Sequence, residues 1–286
     1  MNPFLPALLA LAIPAAAQGL PDHYKADSQA WEESLDKGQG TPVRKAAETL
    51  LQTDGPAVNP SDYNAMHAMV GVLNVAARAC VVEGAWEDAV SHLEKASATA
   101  TDNAATAEST FSKLVAQHQD KLKEWRAGTA QQSQRLKTLD SQGALTLDQK
   151  KQREQIQDYL DEHRKAIAQS EKSLKEIDAL LTLLRAEKET CASALVDWQG
   201  FLAKERADIA RLGTVTVYVA EKLEQVKEDD AKPRTERLAY GRRLLRLDPT
   251  NAECQRFVDG LMGKDDEPSP VPPKKLKHPK AAPATS

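Results

Sequence analysis

Mostly apolar residues recur at alternating spacings of four and three through the middle of the chain. Two such stripes run from Phe111 to Leu139 and from Ile156 to Leu184. This spacing places each stripe on one face of a helix and is typical of a coiled-coil seam. The positions are Phe111, Val115, His118, Leu122, Trp125, Thr129, Gln132, Leu136 and Leu139, then Ile156, Leu160, His163, Ile167, Ser170, Leu174, Ile177, Leu181 and Leu184.

The segment between the stripes carries signals that end one helix and begin another. Ser141, Gln142 and Gly143 interrupt the first stripe, and Thr146 and Gln149 have the spacing of a capping box. A short break between two matched seams predicts an antiparallel hairpin with arms of about 36 residues, or roughly 54 Å at the helical rise. Folding the chain at this break pairs Phe111 with Ile177, Val115 with Leu174, Leu122 with Ile167, and Trp125 with His163.

Shorter helices are predicted on both sides of this hairpin. Glycine and proline separate them, and helical spacing favours a helix even over 215–219, where valines alternate as in a strand. Bends or breaks are expected at Gly200 and Gly213. The predicted flanking helices cover 27–36, 41–51, 60–83, 85–98 and 234–247, with looser helical spacing from 191 to 226.

Composition supports an all-α fold. The chain has 286 residues, 41% hydrophobic and 28% charged, which is ordinary for a globular protein. None of its 15 prolines falls between Pro60 and Pro233. Because proline removes a backbone donor and clashes with the preceding turn, its absence indicates long helices and excludes a sheet-dominated fold.

The segments 73–96 and 247–252 resemble parts of a tetratricopeptide repeat. The first matches the two helices of one repeat and the second matches the turn between repeats. The resemblance implies that polar side chains of the first helix face a peptide groove, where Asn74 and Arg78 occupy two positions. The residues that carry it are Leu73, Ala76, Ala77, Cys80, Gly84, Trp86, Ala89, Leu93 and Ala96, then Leu247, Asp248, Pro249, Thr250, Asn251 and Ala252.

The first 17 residues have the pattern of a signal peptide. They are apolar and end in small residues, with Ala15 and Ala17 placed for cleavage before Gln18. An uncleaved anchor is the alternative, although the apolar run is about 14 residues where a span needs about 20. We therefore expect a periplasmic or secreted protein with no membrane span after cleavage.

These features predict five parts along the chain. They are a signal peptide (1–17), an N-terminal helical body (18–103) that contains a tetratricopeptide-like hairpin (60–98), a coiled-coil hairpin (104–188), returning helices with the second repeat-like fragment (189–263), and a disordered tail (264–286).

Three cysteines and a basic tail are the remaining candidates for special chemistry. In an oxidising compartment two of Cys80, Cys191 and Cys254 could form a disulfide, the alternative being three buried thiols on helices. The proline-rich tail has too few apolar residues to build a core. Its lysines either attract an anionic polymer or lipid surface or, since four lysines attract only weakly in salt, form a plain solvated tail. Those lysines are Lys274, Lys275, Lys277 and Lys280.

No motif in the sequence indicates catalysis, a cofactor or a metal ion. There is no G-x-S-x-G turn, no C-x-x-C pair and no helical histidine pair. The net charge of −4 and the export signal argue against nucleic acid as a partner. We therefore expect a non-enzymatic scaffold or adaptor that holds envelope proteins or peptides, with self-association through the coiled coil left open. The alternative is a wall-binding or anionic-surface module that uses the basic tail, with the coiled coil as a spacer.

Overall fold

A computed structural model describes residues 20–262 and shows that this part of the chain is all-α. It contains no strand over those residues. The signal peptide (1–17) and the lysines of the tail (264–286) lie outside the described residues. The helices are α1 (Leu20–Asp36), α2 (Gly40–Thr53), α3 (Tyr63–Val82), α4 (Trp86–Asp140), α5 (Leu147–Leu212), α6 (Val215–Glu228), α7 (Arg234–Leu247) and α8 (Ala252–Met262), with one 3-10 turn at Gly55–Ala57.

The antiparallel hairpin predicted from the two stripes is formed by α4 and α5. Phe111 and Ile177 pack in one cluster, and the rings of Trp125 and His163 lie 6.4 Å apart, as the predicted register requires. The capping box is also present at the start of α5, where Thr146 accepts from the backbone of Gln149. The two seams therefore cover each other within a single chain.

A polar pair replaces apolar packing at one layer of the hairpin. Nδ1 of His118 and Oγ of Ser170 are 2.6 Å apart, and Ser170 is buried. Ion pairs flank the seam in the same register, between Glu108 and Arg185 at 2.7 Å and between Arg126 and Glu171 at 2.7 Å. Buried polar pairs of this kind lower stability but fix the alignment of two helices.

Both long helices continue further than the sequence indicates. The predicted end near Ala98 is wrong, because α4 is one helix of 55 residues that reaches Asp140. Of the bend or break expected at Gly200, the break is absent, since α5 runs through this residue for 66 residues in all and ends at Gly213, whose φ of 83° closes the helix. The coiled coil and the neighbouring body therefore share two continuous helices.

The body is built around α3, which is the most apolar helix of the described chain. Eleven of its residues are buried, and side chains of α1, α2 and α4 pack against it. Its N-terminus is capped by Asp62, whose carboxylate accepts from two backbone amides. By length and hydropathy α3 could cross a membrane, but 61% of its apolar window is buried inside this protein. Such burial is what the core helix of a folded domain shows.

The last three helices pack on the end of α5 near the body. α6 and α7 share a cluster with α8 that includes Val219, Leu244 and Cys254. A short turn joins α7 to α8, and the side chain of Asn251 accepts from the backbone amides of Glu253 and Cys254.

The structure does not bring any two cysteines together. Cys80, Cys191 and Cys254 are all free buried thiols. They lie in three different clusters, one around α3 and the start of α4, one between α3 and α5, and one between α6 and α8. The disulfide considered from the sequence is therefore not formed in this structure, because the helices that carry the cysteines bury them at separate places.

An ion pair between α3 and α5 makes one contribution to stability dependent on pH. Nδ1 of His67 lies 2.6 Å from Oε1 of Glu187. This hydrogen bond raises the pKa of His67, against a smaller opposing effect of burial. A histidine with a raised pKa stabilises the fold below its unfolded pKa, and the contribution disappears as the pH rises through the folded pKa.

We expect His67→Gln to lower the melting temperature at about pH 5.5 and to leave it unchanged at about pH 9. The shift should be small, because the side chain is half-exposed and solvent screens the pair. Thermal unfolding across this pH range measures it. Glu187→Gln serves as the control, since it should remove the same pH-dependent difference. An equal loss at both pH values would contradict the assignment.

Candidate functional site

An aromatic groove lies where five helices of the described chain converge. It encloses about 630 Å³ and receives side chains from α1, α3, α4, α5 and α7. Its floor is Trp86, and its walls include Trp198, Phe201 and Tyr240. We call these four side chains the aromatic cluster.

The rings of the aromatic cluster contact one another edge to face. The centroid of Trp86 lies 5.7 Å from Trp198, 5.0 Å from Phe201 and 5.2 Å from Tyr240. This arrangement is the preferred geometry of aromatic pairs. Trp86 is fully buried, whereas the other three rings are half-buried and keep part of their surface open to the groove. The cluster therefore presents rigid apolar surface to a ligand.

A tight turn places Trp86 at the floor. Gly84 has a φ of 70° and ends α3, so that Trp86 becomes the first residue of α4. The indole Nε1 of Trp86 then donates to the carbonyl of Val81 at 3.2 Å. The buried indole donor is thus satisfied inside the protein, and the ring orientation is fixed from within the turn.

Arg243 packs against the ring of Trp86 at the floor of the groove. Its guanidinium lies 5.1 Å from the centroid of the Trp86 ring, within cation–π range. Its Nε donates to both oxygens of Glu205 at 3.1 and 3.2 Å, and its terminal nitrogens donate to Glu87 at 2.6 Å each. One buried arginine therefore ties α4, α5 and α7 together under the groove.

The charges of Arg243, Glu205 and Glu87 affect one another strongly. Burial alone would lower the pKa of Arg243, but the hydrogen bonds that it donates to Glu205 and Glu87 outweigh this effect and raise that pKa. The hydrogen bond from Arg243 in turn lowers the pKa of Glu87, against the effect of burial. Arg243 is therefore a permanent cation, and its role is to hold the helices together.

The rim of the groove carries an excess of acidic side chains. Asp36, Asp197, Glu236 and Arg78 are its charged members. Arg78 is already paired with Glu32 at 2.5 Å. Glu236 is likewise paired with a lysine of the same region. Asp36 and Asp197 are exposed and have no ion-pair partner among residues 20–262, so the rim offers two uncompensated negative charges.

The structure places one of the two sequence-predicted partner-binding residues at this groove. Arg78 lines it with its exposed guanidinium. Asn74 lies one turn away, partly buried, and its Nδ2 approaches the sulfur of Cys191 at 3.6 Å. Asn74 therefore lies outside the aromatic groove, against α5.

A second cluster contains the donor atoms that a metal ion would use. Glu48, Cys80 and His92 offer an oxygen, a sulfur and a nitrogen within 4.8 Å of one another. They come from three helices, so no spacing in the sequence could indicate them. Oε1 of Glu48 already accepts from Nε of Arg44 at 2.9 Å and from His92 at 3.2 Å. Burial raises the pKa of the Cys80 thiol to about 12. The cluster is thus an ion-pair network around a protonated thiol.

The aromatic groove combines features of a recognition surface. Its rings offer rigid apolar contact and its rim is acidic, while the buried ion pairs of Arg243 with Glu205 and Glu87 hold the helices below it together. These features suit binding of a cationic or proline-containing segment. A search of known family models, curated proteins and solved structures found no match to this chain.

Proposed function

We propose that this protein is an exported, non-enzymatic helical scaffold that binds a peptide segment of an envelope protein in the aromatic groove. The observation that carries the proposal is the aromatic cluster, three of whose rings stay partly open at the surface beside unpaired acidic side chains. The tetratricopeptide-like hairpin of α3 and α4 supports it, because Arg78 and Trp86 of that hairpin both line the groove.

The chemistry of the groove selects a class of ligand. Aromatic walls favour proline, which is preordered and packs flat against rings. The acidic rim favours lysine or arginine near the apolar contact, and the cation can also approach an aromatic face. We therefore propose a short segment that combines proline or other apolar residues with basic ones. The long hairpin of α4 and α5 then projects away from this binding site as a stiff arm.

A peptide-display library screened on the full chain tests this proposal. We expect enrichment of segments that combine proline with lysine or arginine, and dissociation constants in the micromolar range for a groove of this size. Trp198→Ala should weaken the enriched peptides about tenfold or more, since it removes one aromatic wall. Circular dichroism of the variant confirms that the fold is retained.

Two further variants separate the groove from the rest of the surface. Val196→Ala lies on the same helix, is 66% exposed and does not line the groove, so it should leave peptide binding unchanged. The pair Asp36→Lys and Asp197→Lys should weaken basic peptides without unfolding the protein, because both side chains are exposed. If the library yields no peptide, or if Val196→Ala acts like Trp198→Ala, the groove is not the binding site.

A further inference from the structure

The described chain ends against Arg234, at the start of α7. The last two carbonyls of α8, those of Leu261 and Met262, accept from the guanidinium of Arg234 at 2.6 and 2.9 Å. Arg234 stands between Pro233 and Thr235, and both of these residues line the groove. The C-terminal end of α8 is therefore held by a residue whose two chain neighbours line the groove.

The sequence after Met262 has the composition that the groove selects. Pro268, Pro270, Pro272 and Pro273 fall within six residues, and Lys274 follows them directly, with further lysines at 275 and 277. Five residues stand between Met262 and Pro268, so the two are six residue steps apart. An extended chain covers about 3.3–3.6 Å per residue, so this spacer reaches about 20 Å and can bring the proline cluster across the groove.

The charges of the two surfaces are complementary. Asp36 and Asp197 lie on the rim and are unpaired within the described residues. The segment that begins with Lys274, Lys275 and Lys277 contains no acidic residue from 274 to 286. Peptides are often recognised in this way, with their prolines packed against aromatic rings and their basic residues beside acidic side chains. Because the segment belongs to the same chain, its effective concentration at the groove is in the millimolar range expected for a short linker.

We propose that residues 268–277 occupy the aromatic groove of their own chain and compete with the partner segment. The proposal rests on the function assigned to the groove above and names its resident occupant. A partner then binds only by displacing this segment, so its apparent affinity is lowered by the fraction of chains in which the groove is filled. The lysines act here as a groove ligand and are withdrawn from an anionic surface while the segment is bound.

A photocrosslinking experiment on the full chain tests the occupancy directly. Benzoylphenylalanine in place of Val271 should form crosslinks within one chain to the fragments that carry Trp198 and Tyr240. We expect at least a fivefold loss of these crosslinks when Pro268, Pro270, Pro272 and Pro273 are all replaced by Ala, with the lysines retained. Asp36→Lys with Asp197→Lys should have a similar effect, whereas Asp158→Lys, an exposed acid on the hairpin, should have none.

Several results would overturn the inference. Crosslinks spread along the chain without enrichment at the groove would do so, as would crosslinks that join two differently labelled chains or that survive the four proline replacements. The displayed peptides give a second readout, because those that bind the groove should bind the four-proline variant about tenfold more tightly than the unaltered chain. Equal affinity overturns the occupant and leaves the scaffold function standing. If no peptide binds either protein, the scaffold proposal fails, and the crosslinks still decide where residues 268–277 lie.

Discussion

Replacing Arg243 with Met is expected to lower the free energy of unfolding by about 3–5 kcal/mol. The side chain of Glu205 is 2% exposed, and without Arg243 its carboxylate remains buried beside no cation. Glu87 is different, because it is 51% exposed and can turn to water. Thermal unfolding measures the effect, and a loss of this size corresponds to a fall in melting temperature on the order of 10 °C.

A double variant separates the buried charge from the packing of the arginine. Arg243→Met combined with Glu205→Leu should recover most of the lost stability, because an apolar pair often replaces a buried ion pair without cost. Such a result gives a coupling free energy between the two positions. A double variant that is less stable than Arg243→Met alone would show that the carboxylate contributes through contacts other than the ion pair.

Gly84→Ala is expected to cost about 2–5 kcal/mol. Its φ of 70° is unfavourable for alanine by about 1–2 kcal/mol. A Cβ at this position would also lie 2.4 Å from the backbone nitrogen of Arg243 and 2.6 Å from the carbonyl carbon of Arg242. Relieving that overlap requires α7 to move away from the turn, which adds about 1–3 kcal/mol. Urea unfolding measures the total.

Gly213→Ala is the matched control for this prediction. Gly213 has a similar φ of 83°, and a Cβ there would meet nothing within 4 Å. It should therefore lose only the conformational part, about 1–2 kcal/mol. If the two variants were equally unstable, the close approach of α7 to Gly84 would have no energetic weight. Hydrogen exchange of the amides in α7 should rise in Gly84→Ala alone.

The hairpin of α4 and α5 was predictable because its determinants are local. Large apolar residues at a 4-3 spacing set the register that brings Trp125 to His163, and a capping box marks the start of α5. The continuity of α4 was missed for a physical reason. Alanines occupy the buried positions there, so the 4-3 spacing of large apolar residues does not extend into this part of α4. Those alanines are buried where α3 and α5 approach closely, at Ala96, Ala100, Ala104 and Ala107.

The groove could be predicted only in part. Trp86 and Arg78 were singled out because they belong to one hairpin with a recognisable pattern. Trp198 belongs to the looser helical spacing from 191 to 226, whereas Phe201 and Tyr240 gave no signal at all. Their meeting with Trp86 depends on the packing of α5 and α7 against the start of α4, across more than 100 residues of sequence. Arg243, which links these helices, was missed for the same reason.

The floor of the groove and the tip of the hairpin lie at opposite ends of the same helix, α4. Trp86 is the first residue of α4 and Asp140 is the last, and 55 residues at 1.5 Å each separate them by about 80 Å. A rotation of α4 by about 5° at the groove would displace the far end by about 7 Å over this length. A ligand that rotates α4 by this angle at Trp86 would therefore move the tip of the hairpin by more than one helical turn, although it never contacts the tip.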